Sequence, residues 1–378
     1  MIPPDPRDPS VTKFWKIPIT LDFSWFIIFT LITWMLAVDY YPDEFKNWAV
    51  GWYWAMGAGT ALMLYVSVVL HELGHSAVAL HYGLPVKKIT LFLFGGVTQM
   101  DEEPPSAIAE FMIAMSGPFV SLCLAFLFYE AKPFVASVDP LFAMFKYLAY
   151  INLALAAFNL IPGYPLDGGR VLRAILWSFN GNLRKSTLIA ANVGRGFGFL
   201  LIFWGVLRMF GGDLGGGIWI AMIGWFLDSA ASAQARLELF QSLLMGHSVS
   251  QAMNHHCLTI TEDLTLQKLV DEHILGGGHH CFLVNRGSDT VGLLTLHRLK
   301  EVPRSEWATT TARQVMLPFE KMKLTDPDTG LWPALQQMDR DGVHQLPVTR
   351  NQHVIGMLSR EDVLTFLRAL QELGTQKA

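Results

Sequence analysis

Charge is scarce in this chain. Only 16% of its 378 residues are Asp, Glu, Lys or Arg, where an ordinary soluble domain carries about 25%. The shortage lies in residues 1–235, where long apolar runs follow one another, while 247–378 reads as an ordinary water-soluble domain. There is no basic excess either: the net charge is -4, which excludes nucleic-acid binding as a class. Cysteine is sparse too. Cys123, Cys257 and Cys281 form no CxxC pair, which excludes a disulfide framework and suits a reducing compartment for the soluble part. The opening "MIPPDPRDPSVTKFWKIPIT" lacks a signal-peptide pattern, so the first apolar run is expected to stay as a membrane segment.

What is present is a set of six apolar runs, 21–38, 52–81, 107–129, 141–161, 193–210 and 216–235. Each approaches the roughly 20 residues of helix that cross about 30 Å of hydrocarbon. Trp15, Trp25, Trp52, Trp54, Trp219 and Trp225 lie at several of their ends, as interfacial anchors do. Arg7, Lys13 and Lys16 precede the first span, Lys87 and Lys88 follow the second, and Arg170, Arg173, Arg184 and Lys185 follow the fourth, so the basic residues occupy every second connection. By the positive-inside rule these loops and both termini are cytoplasmic, in a multi-pass protein of the cell membrane. The acidic "DYYPDEFKNW" falls outside. After a linker at 236–246, residues 247–302 and 303–378 repeat one α/β unit, each passing through a "GLLT" or "GMLS" strand into a helix.

Inside the second run stands "LYVSVVLHELGHSAVALHYG" (64–83). His71 and His75, four apart, share one helix face and can hold a zinc ion from one side. Glu72 is placed to take a proton from water activated by that metal. The alternative, a polar patch with no metal, leaves a charge in the membrane at a cost of at least about 2.5–3.5 kcal/mol. With the helix ending at Gly83-Leu84-Pro85, the site lies about 12–18 Å inside that end, open to the cytoplasm. A catalytic zinc typically takes a third protein ligand. Of the acids, Asp101, Glu102 and Glu103 read as a solvated loop, Glu110 as a helix-entry charge and Asp228 as a hydrogen-bonder of the bundle. Asp167 follows the fourth run in "NLIPGYPLDGGRVLRA". Pro162 and Pro165 stiffen its approach and Gly168-Gly169 permit close backbone packing, so Asp167 is the expected third ligand.

"KKITLFLFGGVTQM" (87–100) is too short and too β-prone for a span and reads as a hairpin. Beside the site it is expected to dip into the membrane as a re-entrant element. Its edge, around Phe92, Leu93, Gly95 and Gly96, could hold an unwound substrate by β-addition; the alternative is a hairpin on the cytoplasmic face. "SGP" (116–118) is expected to break or kink the third span, and "GRGFGF" (194–199) to form a small-residue packing face. Asn152 and Asn159 share a helix face, with Asn152 expected to hydrogen-bond between helices.

"HELGH" in a membrane helix followed by "NLIPGYPLDGG" in a later one resembles the site-2 protease family of intramembrane zinc metalloproteases. The resemblance implies one zinc per subunit on His71, His75 and Asp167, Glu72 as catalytic base, and Asn159 holding the substrate carbonyl or its oxyanion. It implies hydrolysis of a peptide bond in or near a transmembrane segment: of a membrane-tethered transcription factor, an anti-sigma or pro-sigma factor, or a remnant signal peptide. The partners are then that protein and the lipid bilayer. Residues 82–106 are too few for the PDZ-type insertion of other members. The tail resembles a pair of cystathionine-beta-synthase (CBS) domains, in which Ser/Thr-x-x-Asp contacts a ribose. "SREDV" offers Ser359 and Asp362, whereas the first copy has Thr295 but Arg298 at the Asp position. ATP, ADP or AMP binding and a purely structural homodimerisation role both remain open. The expected fold is a polytopic α-helical membrane protein of about six transmembrane helices with a short re-entrant β element, plus a cytoplasmic α/β tandem CBS domain. A CBS-regulated metal-ion transporter and an inactive scaffold are the rival functions. Against the first, the polar residues cluster on the cytoplasmic half; against the second, Glu72 is intact.

Overall fold

The structure, a computed structural model, describes residues 12–14, 17–92, 95–100, 103–255, 258–275, 281–287, 289–350 and 353–375. It divides into two compact units, Ile2–Glu238 and Leu239–Ala378.

The first unit begins with β1 (Thr12–Phe14) and β2 (Ile17–Leu21) and enters α1 (Phe23–Met35) through Asp22, whose carboxylate accepts the Ser24 backbone N–H at 2.9 Å. The helix continues through one wider turn, Leu36–Tyr40, into α2 (Tyr41–Glu44). The acidic stretch expected as an outer loop is therefore helical as far as Glu44, because Leu36 and Tyr41 are buried against Ala143. α3 (Val50–His81) ends at Gly83, whose φ of 79° is the left-handed turn that lets Leu84 N–H reach the Ala79 carbonyl at 3.0 Å. Next come β3 (Val86–Phe92), β4 (Gly95–Met100), α4 (Ala107–Ala131), α5 (Asp139–Asn159), α6 (Asp167–Asn180), α7 (Leu183–Phe210) and α8 (Leu214–Leu244).

Among the described residues six helices are long and apolar enough to cross a membrane, and Phe119, Phe126, Phe203 and Trp204 expose their rings as lipid-facing residues do. The chain is a multi-pass membrane protein. Three expectations change. α4 runs unbroken through Pro118. α7 starts ten residues before the fifth expected span, capped by the Asn182 side chain on Lys185 N–H. α8 continues past residue 235, so most of the expected linker is helix.

The expected hairpin is half of a larger sheet. Its order is β1-β2-β3-β4, with β2 parallel to β3 and the other pairs antiparallel. One face buries Ile17, Ile89 and Leu91 on Ile28 of α1 and on Tyr65 and Leu73 of α3.

In the second unit α9 (Val249–Ala252), β5 (Leu258–Thr261), α10 (Leu266–Lys268), β6 (Cys281–Arg286), β7 (Asp289–Thr295) and α11 (Leu296–Lys300) form the first copy. The second follows as α12 (Ala312–Val315), β8 (Leu317–Pro318), α13 (Leu331–Asp341), β9 (Gln345–Arg350), β10 (His353–Ser359) and α14 (Arg360–Thr375). The copies exchange their first helices. Val249 of α9 packs with Leu331, Met338, Val363 and Leu367 of the second copy, while Ala312 of α12 packs with Ile260, Leu266 and Phe282 of the first. Both short helices carry a capping box, Ser248 with Gln251 and Thr311 with Gln314. Arg286 grips Glu262 with two hydrogen bonds, holding that carboxyl below its ordinary range.

Glycines draw α7 and α8 together. A Cβ at Gly205 would stand 2.5 Å from the Gly217 carbonyl oxygen, whereas one at Gly196 would meet nothing. Gly205→Leu should therefore lower the thermal midpoint of the detergent-solubilised protein by several degrees, and Gly196→Leu should leave it unchanged.

Candidate metal centre

His71 and His75 lie in the last third of α3, both buried. They are ten and six residues from His81, or about 15 and about 9 Å of helix rise, slightly shallower than the depth expected from Gly83. Asp167 is the first residue of α6. Its two oxygens meet the two rings: Oδ2 is 3.1 Å from His71 Nε2 and Oδ1 is 3.2 Å from His75 Nε2. The two Nε2 atoms are 3.2 Å apart. Among the described residues this is the one group of three His, Cys, Asp or Glu side chains able to share a metal ion.

The outer partners of the rings come from α4. His75 Nδ1 is 2.7 Å from the Ile113 carbonyl oxygen. That oxygen only accepts, so Nδ1 carries the proton and the Nε2 of a neutral ring is a bare lone pair. His71 Nδ1 meets Ser121 Oγ at 2.9 Å. With both rings neutral and oriented this way, acceptors converge with no donor between them, the arrangement that suits a divalent cation. Room for it depends on Gly117. A Cβ there would stand 2.2 Å from His75 Nε2 and 2.6 Å from His71 Nε2. Histidine and carboxylate donors at this spacing fit zinc.

Asp167 is held from below. A Cβ on Gly168 would strike the Ile161 and Leu160 carbonyls, and one on Gly169 the backbone of Gly163 and Tyr164. The glycine pair thus lets the first turn of α6 lie on the preceding loop, as its sequence implies. Glu110 is no mere helix-entry charge. It is fully buried, with Arg170 Nε at 3.1 Å and Arg173 Nη2 at 2.5 Å. This pairing fastens α6 to α4, the two helices that carry Asp167 and the histidine partners. Arg170 and Arg173, one turn apart behind "LDGG", were the signal; a fully buried acid was not foreseeable from composition.

Glu72, also buried, lines a cavity of about 230 Å³ with His71, Asp167, Asn159, Gly95 and Gly96. Thr98 Oγ1 donates to Glu72 Oε2 at 2.7 Å, a contact sequence reading did not foresee. Trp219, Ile223, Phe226 and Leu227 of α8 form an apolar wall. Asn152 instead donates to Ser67 Oγ of α3 at 3.2 Å. Phe92 ends the inner strand β3 opposite Gly95 and does not line the cavity, while Leu93, with Asp101 and Glu102, lies outside the described residues. Asp228 pairs with Arg195 of α7 at 3.2 Å.

In the second unit a cavity of about 680 Å³ is lined by Thr295, Arg298, His344, Gln345, Ser359 and Arg360. Asp362 is not in its lining. Its Oδ2 accepts the Ser359 hydroxyl at 2.6 Å and the Ser359 N–H at 2.8 Å, capping α14.

The profile of Peptidase family M50 matches residues 59–136 and 131–203, and that of the CBS domain residues 312–369. A Synechocystis protein named as a candidate zinc metalloprotease is 34% identical over 365 residues, 95% of each chain. A Mycobacterium tuberculosis protein similarly named, Rip3, is 34% identical over 350 residues, covering 91% of this chain and 89% of its own. A solved structure, the site-2 protease from Methanocaldococcus jannaschii, is 32% identical with a TM-score of 0.44, covering 60% of this chain and 94% of its own.

Removing Glu110 leaves two guanidinium groups without their buried partner. Glu110→Ala should cost about 3–5 kcal/mol of stability, read as a lowered thermal midpoint, whereas Asp228→Ala, at a more exposed pair, should cost far less.

Proposed function

Because the chain belongs to peptidase family M50, zinc metalloproteases of the site-2 type, we propose that His71, His75 and Asp167 hold its zinc and that Glu72 is its general base. The observation that carries this reading is the convergence of the two Nε2 atoms and both Asp167 oxygens beside Glu72, in one cavity. Bound there, zinc supplies Lewis-acid polarisation of a scissile carbonyl and water acidic enough to attack at neutral pH.

The chain's own residues do the rest. Glu72 accepts the proton of the attacking water and returns it to the leaving amine. Asn159, at the end of α5, donates from its amide to the carbonyl oxygen as negative charge develops there. β4 has only β3 beside it among the described strands, so an unwound segment of substrate adds along its free edge at Gly95 and Gly96. The apolar wall of α8 receives the flanking side chains and keeps bulk water out. Substrates are membrane-tethered transcription factors, anti-sigma or pro-sigma factors, or remnant signal peptides, cut within or beside their transmembrane segment.

The catalytic part comprises residues 1–235 and the CBS pair 247–302 and 303–378. The protein sits in the cell membrane with both termini and the mouth of the site cytoplasmic, the side to which its basic loops assign it. In the CBS pair ATP, ADP or AMP enters the cavity beside Thr295 and Ser359. There Arg298 and Arg360 supply positive charge for phosphates, and Asp362 leaves its cap to meet the ribose. Homodimerisation through the pair is the second reading of the same unit.

Glu72→Gln should abolish proteolysis with one zinc per chain retained. Elemental analysis of the purified protein checks the metal, and comparison of membrane proteomes from wild-type and variant cells identifies proteins cut only by the wild type. If the variant still cuts them, Glu72 is not the base. Calorimetry of the full-length protein with ATP and AMP should give heat that Ser359→Ala diminishes; no heat at millimolar ligand leaves the dimer reading.

A further inference from the structure

We propose that Thr98 is a positioning residue for the general base, fixing the Glu72 carboxylate from the strand along which substrate lies. The inference rests on the reading of Glu72 as that base.

Three observations place Thr98 there. Thr98 lies opposite Ile89 in the β3–β4 ladder and Gly96 opposite Leu91. Paired residues share a face of the sheet, and Ile89 and Leu91 are buried on α3. The face of β4 that carries Gly96 and Thr98 is thus the one seated on the helix of Glu72. Gly96 then brings the strand backbone down onto the acid: a Cβ there would stand 2.5 Å from Glu72 Cγ and 2.9 Å from Oε1. Finally, the Thr98 hydroxyl donates to Oε2 at 2.7 Å, a short bond of the charge-assisted kind, since an ionised carboxylate only accepts.

Glutamate is a loose tether for a base. Its carboxylate turns about three side-chain torsions, and each misplaced rotamer removes the proton acceptor from the attacking water. One hydroxyl bond selects a single orientation. The Glu72 backbone is tied separately, its carbonyl accepting from Ser76 Oγ at 2.9 Å. Because the donor sits on β4 itself, a peptide adding to the edge of β4 settles the strand and, through Thr98, the acid. A correctly seated substrate and an aligned base are then one event. Threonine suits the position: its β-branch favours the strand and its hydroxyl reaches the helix.

The test uses the full-length protein in liposomes with a co-reconstituted single-span protein that the wild type cleaves and Glu72→Gln does not. Thr98→Val keeps shape and strand preference but removes the donor. It should lower kcat about ten- to hundredfold, the worth of a hydrogen bond to a charged group, with KM within about twofold and zinc content unchanged. Thr98→Ser should restore most of the rate. Wild-type kcat in Thr98→Val overturns the proposal, as does a loss carried by KM or one that serine fails to recover. Should Glu72→Gln cleave every substrate tried, the parent reading falls instead, whatever Thr98 does.

Discussion

Acceptors gathered in an apolar interior repel one another unless something positive lies between them. Nε2 of His71, Nε2 of His75 and both oxygens of Asp167 are such a gathering. Much of the membrane unit is arranged to keep it in place. α3 delivers two of the side chains, the first turn of α6 delivers the third, and α4 stands behind both. From α4 come the Ile113 carbonyl and the Ser121 hydroxyl that orient the rings, the missing side chain at Gly117, and the buried Glu110 that ties down α6. A helix interrupted at Pro118 would break that support midway, and α4 is continuous there. Proline removes its own N–H from the ladder and crowds the carbonyl one turn back, a strain that neighbouring helices in a membrane bundle absorb.

The sheet plays the complementary part. Its burial on α1 and α3 keeps β4 against Glu72, so the strand edge and the acid are neighbours by construction rather than by chance docking. The two N-terminal strands widen what would otherwise be a hairpin, which alone is marginally stable.

Much of this was legible in the residues. Six apolar runs announced six helices, because lipid demands long uninterrupted helices and the hydropathy signal is correspondingly strong. His71 and His75 were legible from helical periodicity, and Asp167 from its proline- and glycine-framed approach. Several features were not. The strands before α1 lie in a short, mixed stretch with no period, and the parallel pairing of β2 to β3 is a long-range contact that local pattern does not encode. The extra length of α7 and α8 mixes charged and polar residues with apolar ones and so escapes a hydropathy reading, although the backbone simply continues. Glu110 reads as a helix-entry charge because its partners lie some sixty residues away. Ser359 and Asp362 spell out a ligand motif, yet the same spacing also makes a helix cap, and the cap is what their side chains form.

The exchange of first helices between the two copies of the α/β unit also bears on synthesis. Val249 reaches its buried neighbours only when residues 363–367 exist to pack on it, and Ala312 closes an interior begun some fifty residues earlier. Neither copy can therefore mature alone as it leaves the ribosome. The soluble unit becomes solid nearly all at once, and a nonsense codon between the copies would spare neither.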